Sequence, residues 1–254
     1  MTERSFFKFG KSFFARGFYR YETDLRMTPA DIKNLAGKKI LLVGGGASPI
    51  KSDLANLGLD CHVTNIDIFY KTPDPNNADI LITDDFINRH LIDEYDEIWA
   101  LWSLPMYSPD DYARDMFWIR AILALKPGGN LRVSGGLQPA HTKLFSAFNA
   151  AFPDTELKLQ SAPADKGHLY PPPQVCQQLE SQRPAVPSPE IKDNSAEMLK
   201  DVENQDDKGY AMGAYYLHFT APADKTRINE WLMQNLQRLN MPMAVMKQKR
   251  KEKI

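Results

Sequence analysis

The chain has 254 residues, 43% of them hydrophobic in type, and a formal net charge of −1. That length and apolar content suit one large α/β domain with a buried core and exclude wholesale disorder. The balanced charge gives no global pull toward nucleic acid or an acidic membrane, and no run approaches the roughly 18 apolar residues of a membrane span.

Residues 1–36 form an N-terminal aromatic and helical cover. Phe6, Phe7, Phe9, Phe13, Phe14, Phe18, Tyr19 and Tyr21 alternate with basic residues. Their apolar area calls for burial against the main domain, with a cover over a ligand mouth as the alternative. No signal-peptide core precedes a small-residue cleavage site. Thr28-Pro29-Ala30-Asp31 starts a short helix that Gly37 ends. Lys39 to Val43 reads as a buried strand. Ser48 is the expected cap of the next helix, with Pro49 at its first position, Ile50, Leu54 and Leu57 on its apolar face, and Gly58 as its stop. Cys61 to Ile66 is the second strand and ends at Asp67.

Lys71 to Asn77 is polar and broken by proline, so a loop is expected where a doubly wound fold usually has its second crossover helix. Ile80-Leu81-Ile82 is a third strand, leading to Asp84-Asp85-Phe86. Glu97 to Trp102 is a fourth. Ser108-Pro109-Asp110-Asp111 opens a helix with Tyr112, Met116, Ile119 and Leu123 as its stripe. Lys126-Pro127-Gly128-Gly129 turns into the strand Asn130 to Ser134. Pro139 to Phe152 reads as a helix, Glu156 to Leu159 as a short strand, Ala211 to Thr220 as an aromatic-rich strand and Asp224 to Leu239 as a last helix. The α/β core therefore spans 37–160 and 209–240. A proline-rich insertion or lid occupies 161–208, and a basic tail occupies 241–254.

Strands alternating with helical connections predict a doubly wound, mostly parallel sheet with helices on both faces. Within that frame, Leu41-Leu42-Val43-Gly44-Gly45-Gly46-Ala47-Ser48 runs from a strand through a glycine turn into a helix. Asn65-Ile66-Asp67 follows about 20 residues later, at the spacing of a carboxylate that meets a ribose. With Asp84-Asp85-Phe86 and Ala124-Leu125-Lys126-Pro127-Gly128-Gly129-Asn130-Leu131, these segments resemble the class I S-adenosylmethionine-dependent methyltransferases. The resemblance covers roughly Gly37 to Phe152. It makes Ala211 to Thr220 the antiparallel last strand. Two positions depart from the family pattern. The acidic residue that usually ends the first strand is Leu42 or Val43 here, and Ser48 stands where a third glycine is usual.

The resemblance implies S-adenosylmethionine as cofactor and methyl transfer to a small-molecule acceptor. Gly44, Gly45 and Gly46 let a ligand approach the backbone, or simply make a tight turn. Asp67 suits the ribose hydroxyls. Ile68 and Phe86 suit the two adenine faces, or ordinary core packing. Of Asp84 and Asp85, one accepts from the adenine amino group and the other caps the following helix; the resemblance favours Asp85 as the acceptor. Leu101 ends the fourth strand below the expected reacting centre. Trp102 and Tyr107 offer an apolar, cation-attracting wall to a substrate, or pack under the next helix. His141 is a base or a helix-start histidine. No catalytic residue is evident. The cysteines Cys61 and Cys176 are far apart and the histidines are scattered, so neither a disulfide nor a metal site is expected, and a reduced cytoplasmic setting follows. Two alternatives stand beside methyl transfer. One is a catalytically reduced binding protein on the same fold, motivated by the missing acid. The other is a nicotinamide or flavin oxidoreductase, motivated by the glycine spacing and Asp67.

Overall fold

Strand formation follows the apolar runs of the sequence. The computed structural model describes residues 17–101, 103–105, 111–136, 142–155, 159–162 and 214–239. Its strands are β1 (Lys39–Val43), β2 (His62–Ile66), β3 (Ile80–Ile82), β4 (Tyr95–Leu101), β5 (Leu125–Gly136), β6 (Leu159–Ala162) and β7 (Ala214–Thr220). Its helices are α1 (Phe18–Asp24), α2 (Pro29–Lys33), α3 (Ile50–Asn56), α4 (Asp111–Ala124), α5 (Lys143–Ala151) and α6 (Thr226–Leu239). All seven strands join one sheet in the order β3-β2-β1-β4-β5-β7-β6. β1 is parallel to β2 and β4, β2 to β3, and β4 to β5. β7 runs antiparallel to both β5 and β6. The doubly wound sheet with an antiparallel last strand is thus observed.

Alternate residues of each strand divide between two cores. Leu41, Val43, Ile98, Ala100, Leu131, Val133, Leu217 and Phe219 face α4, α5 and α6. Ile40, Leu42, Val63, Trp99 and Leu101 face the other way, onto Phe18, Tyr21, Leu25, Ile50 and Leu54. Covering both faces explains why the strands read as continuous apolar runs rather than as alternating ones. Trp99 is fully buried, with the Phe18 and Tyr21 rings at centroid distances of 6.0 and 5.9 Å. The part of the N-terminal cover that is described therefore packs into the core.

Several boundaries move for physical reasons. Pairing of Tyr95 with Leu125 is followed directly by pairing of Glu97 with Asn130, so Lys126 to Gly129 bulge out of β5, with Gly128 at φ +75. The expected turn survives as a bulge inside a longer strand. Ser48 does not cap α3. Pro49 occupies the cap position without a side-chain hydrogen bond, and the Ser48 carbonyl accepts from Ile50 N–H at 2.9 Å. No helix links β2 to β3, as the proline-broken sequence predicted. The 161–208 insertion, apart from the last two residues of β6, and the 241–254 tail lie outside the described residues.

One ionic contact fastens α2 to the sheet. Thr28 and Asp31 form a reciprocal capping box. The second carboxylate oxygen of Asp31 accepts from Arg132 Nη2 of β5 at 2.8 Å, and Arg132 is only 2% exposed. Burial pushes the Asp31 carboxyl up, but the Thr28 N–H, the Thr28 hydroxyl and the Arg132 guanidinium outweigh it and hold it below the usual carboxylate range. A lowered folded pKa adds stability above the ordinary value and loses it as pH falls through the folded pKa. Unfolding free energy measured in urea should therefore decline below about pH 4. Asp31→Asn should make that decline shallower. Parallel curves for the variant and the natural protein would show that Asp31 does not contribute to acid sensitivity.

Candidate functional site

The site is built where β1 ends and the chain must turn. Gly44 and Gly46 have φ of +69 and +55, a region that costs any other L-residue about 1–2 kcal/mol. A Cβ on Gly44 would lie 2.6 Å from Ser103 Cβ, and the Ser103 hydroxyl donates to the Val43 carbonyl at 2.6 Å. Ser103 follows β4, so this contact spans the β1–β4 boundary, the switch point where ligands of open α/β sheets bind. A Cβ on Gly45 would lie 2.7 Å from Asn65 Oδ1. The first two glycines are thus demanded by the protein's own side chains.

The turn's amides are also engaged internally. Gly44 N–H donates to the Ile66 carbonyl at 2.8 Å, Gly45 N–H to Asn65 Oδ1 at 3.2 Å, and Gly46 N–H to Asp67 Oδ2 at 2.9 Å. These three amides are therefore not open donors for a ligand. What the glycines contribute is close approach, through their missing Cβ atoms.

Asp67 stands at the C-terminal end of β2 and is 8% exposed. Besides Gly46, its other oxygen accepts from Phe69 N–H at 2.7 Å and Tyr70 N–H at 2.9 Å. A carboxylate has about four acceptor positions, so three donors leave room for one more. The residues beside it are open: Ile68 is 37% exposed and Phe69 54%. Asp85 caps the 3-10 turn Phe86–Asn88, accepting from Ile87 N–H at 3.3 Å. Asp84 accepts from Asp85 N–H at 2.7 Å and pairs with Arg89 at 3.0 Å. The cap role thus belongs to Asp85, although the resemblance favoured it for adenine.

Phe86 is a core residue, 2% exposed, with its ring 5.7 Å from that of Phe117. Leu101 is 1% exposed within the opposite core. Both are covered by protein, which for Phe86 is the core packing given as the alternative. Trp102, Tyr107 and His141 lie outside the described residues. Among the described residues, no group of three or more His, Cys, Asp or Glu could hold a metal, and no helix is long and apolar enough to cross a membrane. Burial pushes the Cys61 thiol up to about 11, which makes it a poor nucleophile.

Sequence reasoning missed three residues of this site. Asn65, Asn77 and Ser103 each touch the glycine turn or its flanks. Asn65 carried a signal, because an asparagine inside an apolar strand must find buried partners. Asn77 and Ser103 carried none that local pattern reveals.

No protein-family model matches the chain, and no curated protein does. Solved structures of similar shape exist. StiE O-MT is 12% identical over 84% of this chain and 78% of its own, with a TM-score of 0.49. The (4+2)-cyclase SpnF is 17% identical over 79% and 82%, at 0.46. The N-methyltransferase NodS from Bradyrhizobium japonicum WM9 is 14% identical over 81% and 96%, at 0.40. Such distant likenesses concern whole folds, and the sheet itself decides the class. It is parallel from β3 through β5, and an antiparallel strand lies between β5 and β6. The chain has a doubly wound, mostly parallel sheet with an antiparallel strand beside β5, the arrangement that the resemblance to class I methyltransferases implied. A fold hosts many chemistries, so activity has to be argued from the site.

Gly44→Ala tests the turn. The φ penalty and the overlap with Ser103 should together cost on the order of 2–4 kcal/mol. Adding Ser103→Gly should recover only the steric part. Urea unfolding of both variants measures this, and a Gly44→Ala protein of natural stability would contradict the crowding.

Proposed function

We propose that this chain binds S-adenosylmethionine at the C-terminal ends of β1 and β2 and transfers its methyl group to a small-molecule acceptor. The observation that supports this is the Asp67 carboxylate, fixed against the glycine turn by Gly46 N–H with exposed Ile68 beside it. The nucleoside end of the cofactor fits these residues. Asp67 retains acceptor capacity for a sugar hydroxyl, Ile68 offers an apolar surface for a base, and the bare backbone of the turn permits close contact. At the amino-acid end, Leu42 and Val43 are buried and supply no carboxylate.

When bound, the sulfonium supplies an activated methyl group for in-line transfer to a nucleophile. Such chemistry needs orientation and exclusion of water more than a dedicated base, and orientation is worth about 7–11 kcal/mol. The role of Asp67 is to orient the sugar, and the role of Ile68 is to desolvate the base.

A second reading, a binding protein with reduced catalysis, is favoured by one observation: the end of β1 is Leu42 and Val43, where the family pattern has an acid.

Calorimetric titration with S-adenosylmethionine and with its demethylated product should show saturable binding. Asp67→Asn should weaken it at least about tenfold, because one charge-assisted acceptor is lost, while the circular dichroism spectrum stays that of a folded protein. Absence of binding by the natural protein would remove both readings. Binding without transfer of labelled methyl to any component of a small-molecule extract would favour the second over the first.

A further inference from the structure

On the face of the sheet away from α3, helix α4 carries a charge that the fold leaves unpaired. Arg120 is 5% exposed, and its neighbours along the helix, Ile119, Ala121 and Ile122, are core residues. Its Nε donates to the Ile87 carbonyl at 3.3 Å, which ties α4 to the 3-10 turn Phe86–Asn88. Among the described residues no carboxylate pairs with it. Asp84, just before the turn, is engaged by Arg89 at 3.0 Å, and Asp85 caps the turn.

The other two guanidinium nitrogens end on one imidazole. Nη1 lies 3.0 Å from His90 Nδ1, and Nη2 lies 3.4 Å from His90 Nε2. A neutral imidazole accepts at one nitrogen and carries N–H on the other, and a protonated one accepts at neither. One of the two contacts is therefore donor against donor. A guanidinium has five N–H donors. Among the described residues at most two of them find acceptors, the Ile87 carbonyl and one ring nitrogen. Burial pushes the guanidinium down from its ordinary value, with Tyr112 opposing. Buried donors and a buried charge left unserved are costly.

His90 differs from Arg120 in one decisive respect: it is exposed and belongs to neither apolar core. Its ring can turn into water without losing core packing. Arg120 cannot follow, because its stem is buried in α4 and its Nε stays on the Ile87 carbonyl. With the ring turned away, Nη1 and Nη2 form a fork whose direction is already fixed. Such a fork matches two oxygens of a phosphate or sulfate group, and its bonds to an anion are charge-assisted. Two oxygens serve both Nη groups, where the imidazole serves one, and the anion's charge offsets the guanidinium's.

We infer that Arg120 is the floor of an oxyanion site on the α4 face, which opens when a phosphate or sulfate group takes the place of the His90 ring on Nη1 and Nη2. The ligand's chemistry is that of a tetrahedral oxyanion, either a free ion or the head of a phosphomonoester. The site shares no residue with the nucleoside crevice at the ends of β1 and β2, so neither reading depends on the other.

The test is calorimetric titration of the full chain with inorganic phosphate and, separately, with methyl phosphate, at an ionic strength held constant with sodium chloride. Saturable binding at one site is expected. Tighter binding of methyl phosphate assigns the site to a phosphomonoester and tighter binding of inorganic phosphate to the free ion; either supports the inference. His90→Ala removes the competing acceptor and should tighten binding about threefold to tenfold, an effect opposite to that of general destabilisation. Arg120→Gln should weaken binding at least about tenfold in a protein whose circular dichroism spectrum is that of the natural one. Absence of saturable binding of both probes overturns the inference. So does a His90→Ala protein with unchanged or weaker binding, or a folded Arg120→Gln protein with the natural affinity. If Arg120→Gln does not fold, the comparison of His90→Ala with the natural protein decides.

Discussion

The hydrogen bond from Gly46 N–H to the Asp67 carboxylate is the contact on which the candidate site depends. It ties the turn after β1 to the residue that follows β2, extending the bonds that Gly44 and Gly45 already make to Ile66 and Asn65. A charge-assisted bond of this kind is roughly twice as strong as a neutral one. The other oxygen of Asp67 starts the next turn by accepting from Phe69 and Tyr70. One side chain therefore sets the glycine turn, fixes the direction in which the chain leaves β2, and places Ile68 at the surface. Its charge is tolerated in a nearly buried place because three N–H dipoles surround it.

From that point the chain follows an unusual route. A doubly wound sheet normally crosses from its second to its third strand through a helix. Pro73 and Pro75, and the lack of apolar periodicity between them and Asp67, forbid one here. The segment instead folds back over α3, with the carbonyls of Asn76 and Asn77 on the helix start and the Asn77 carboxamide on the glycine turn. The consequence at the sheet edge is a short β3 of three residues, with Ile80 46% exposed. Rigidity at the turn is gained where cover over the edge strand is lost.

The sequence made the fold legible wherever periodicity and punctuation agree. β1 and β3 fall on their expected residues, and α6 begins two residues late. The missing crossover helix was readable from its prolines. Less legible was whatever depends on contacts between distant residues. Lys126 to Gly129 looked like a turn and is a bulge, because Tyr95 recruits Leu125 into the sheet before the glycines loop out. Ser48 looked like a cap, but residues 76 and 77 reach the α3 amides first. Phe86 looked like an adenine cover, and only the packing of α4 over it reveals a core side chain. The glycines and Asp67 were identified as a group from their spacing alone. What spacing could not reveal is that their donors and acceptors bond mainly to one another.

That internal satisfaction bears on how a nucleoside is held. A sugar hydroxyl donating to the one remaining acceptor position of Asp67 contributes about 1.5–3 kcal/mol. Micromolar binding needs about 8 kcal/mol. The sugar contact thus sets orientation and supplies a minority of the affinity. The remainder has to come from apolar burial at roughly 25 cal/mol per Å², for which exposed Ile68 is the nearest surface. A preformed turn keeps the cost of binding low, since no backbone group has to exchange partners to admit the ligand. Recognition in such a site is therefore governed by shape and apolar burial, with the carboxylate acting as a fixed reference point for the sugar.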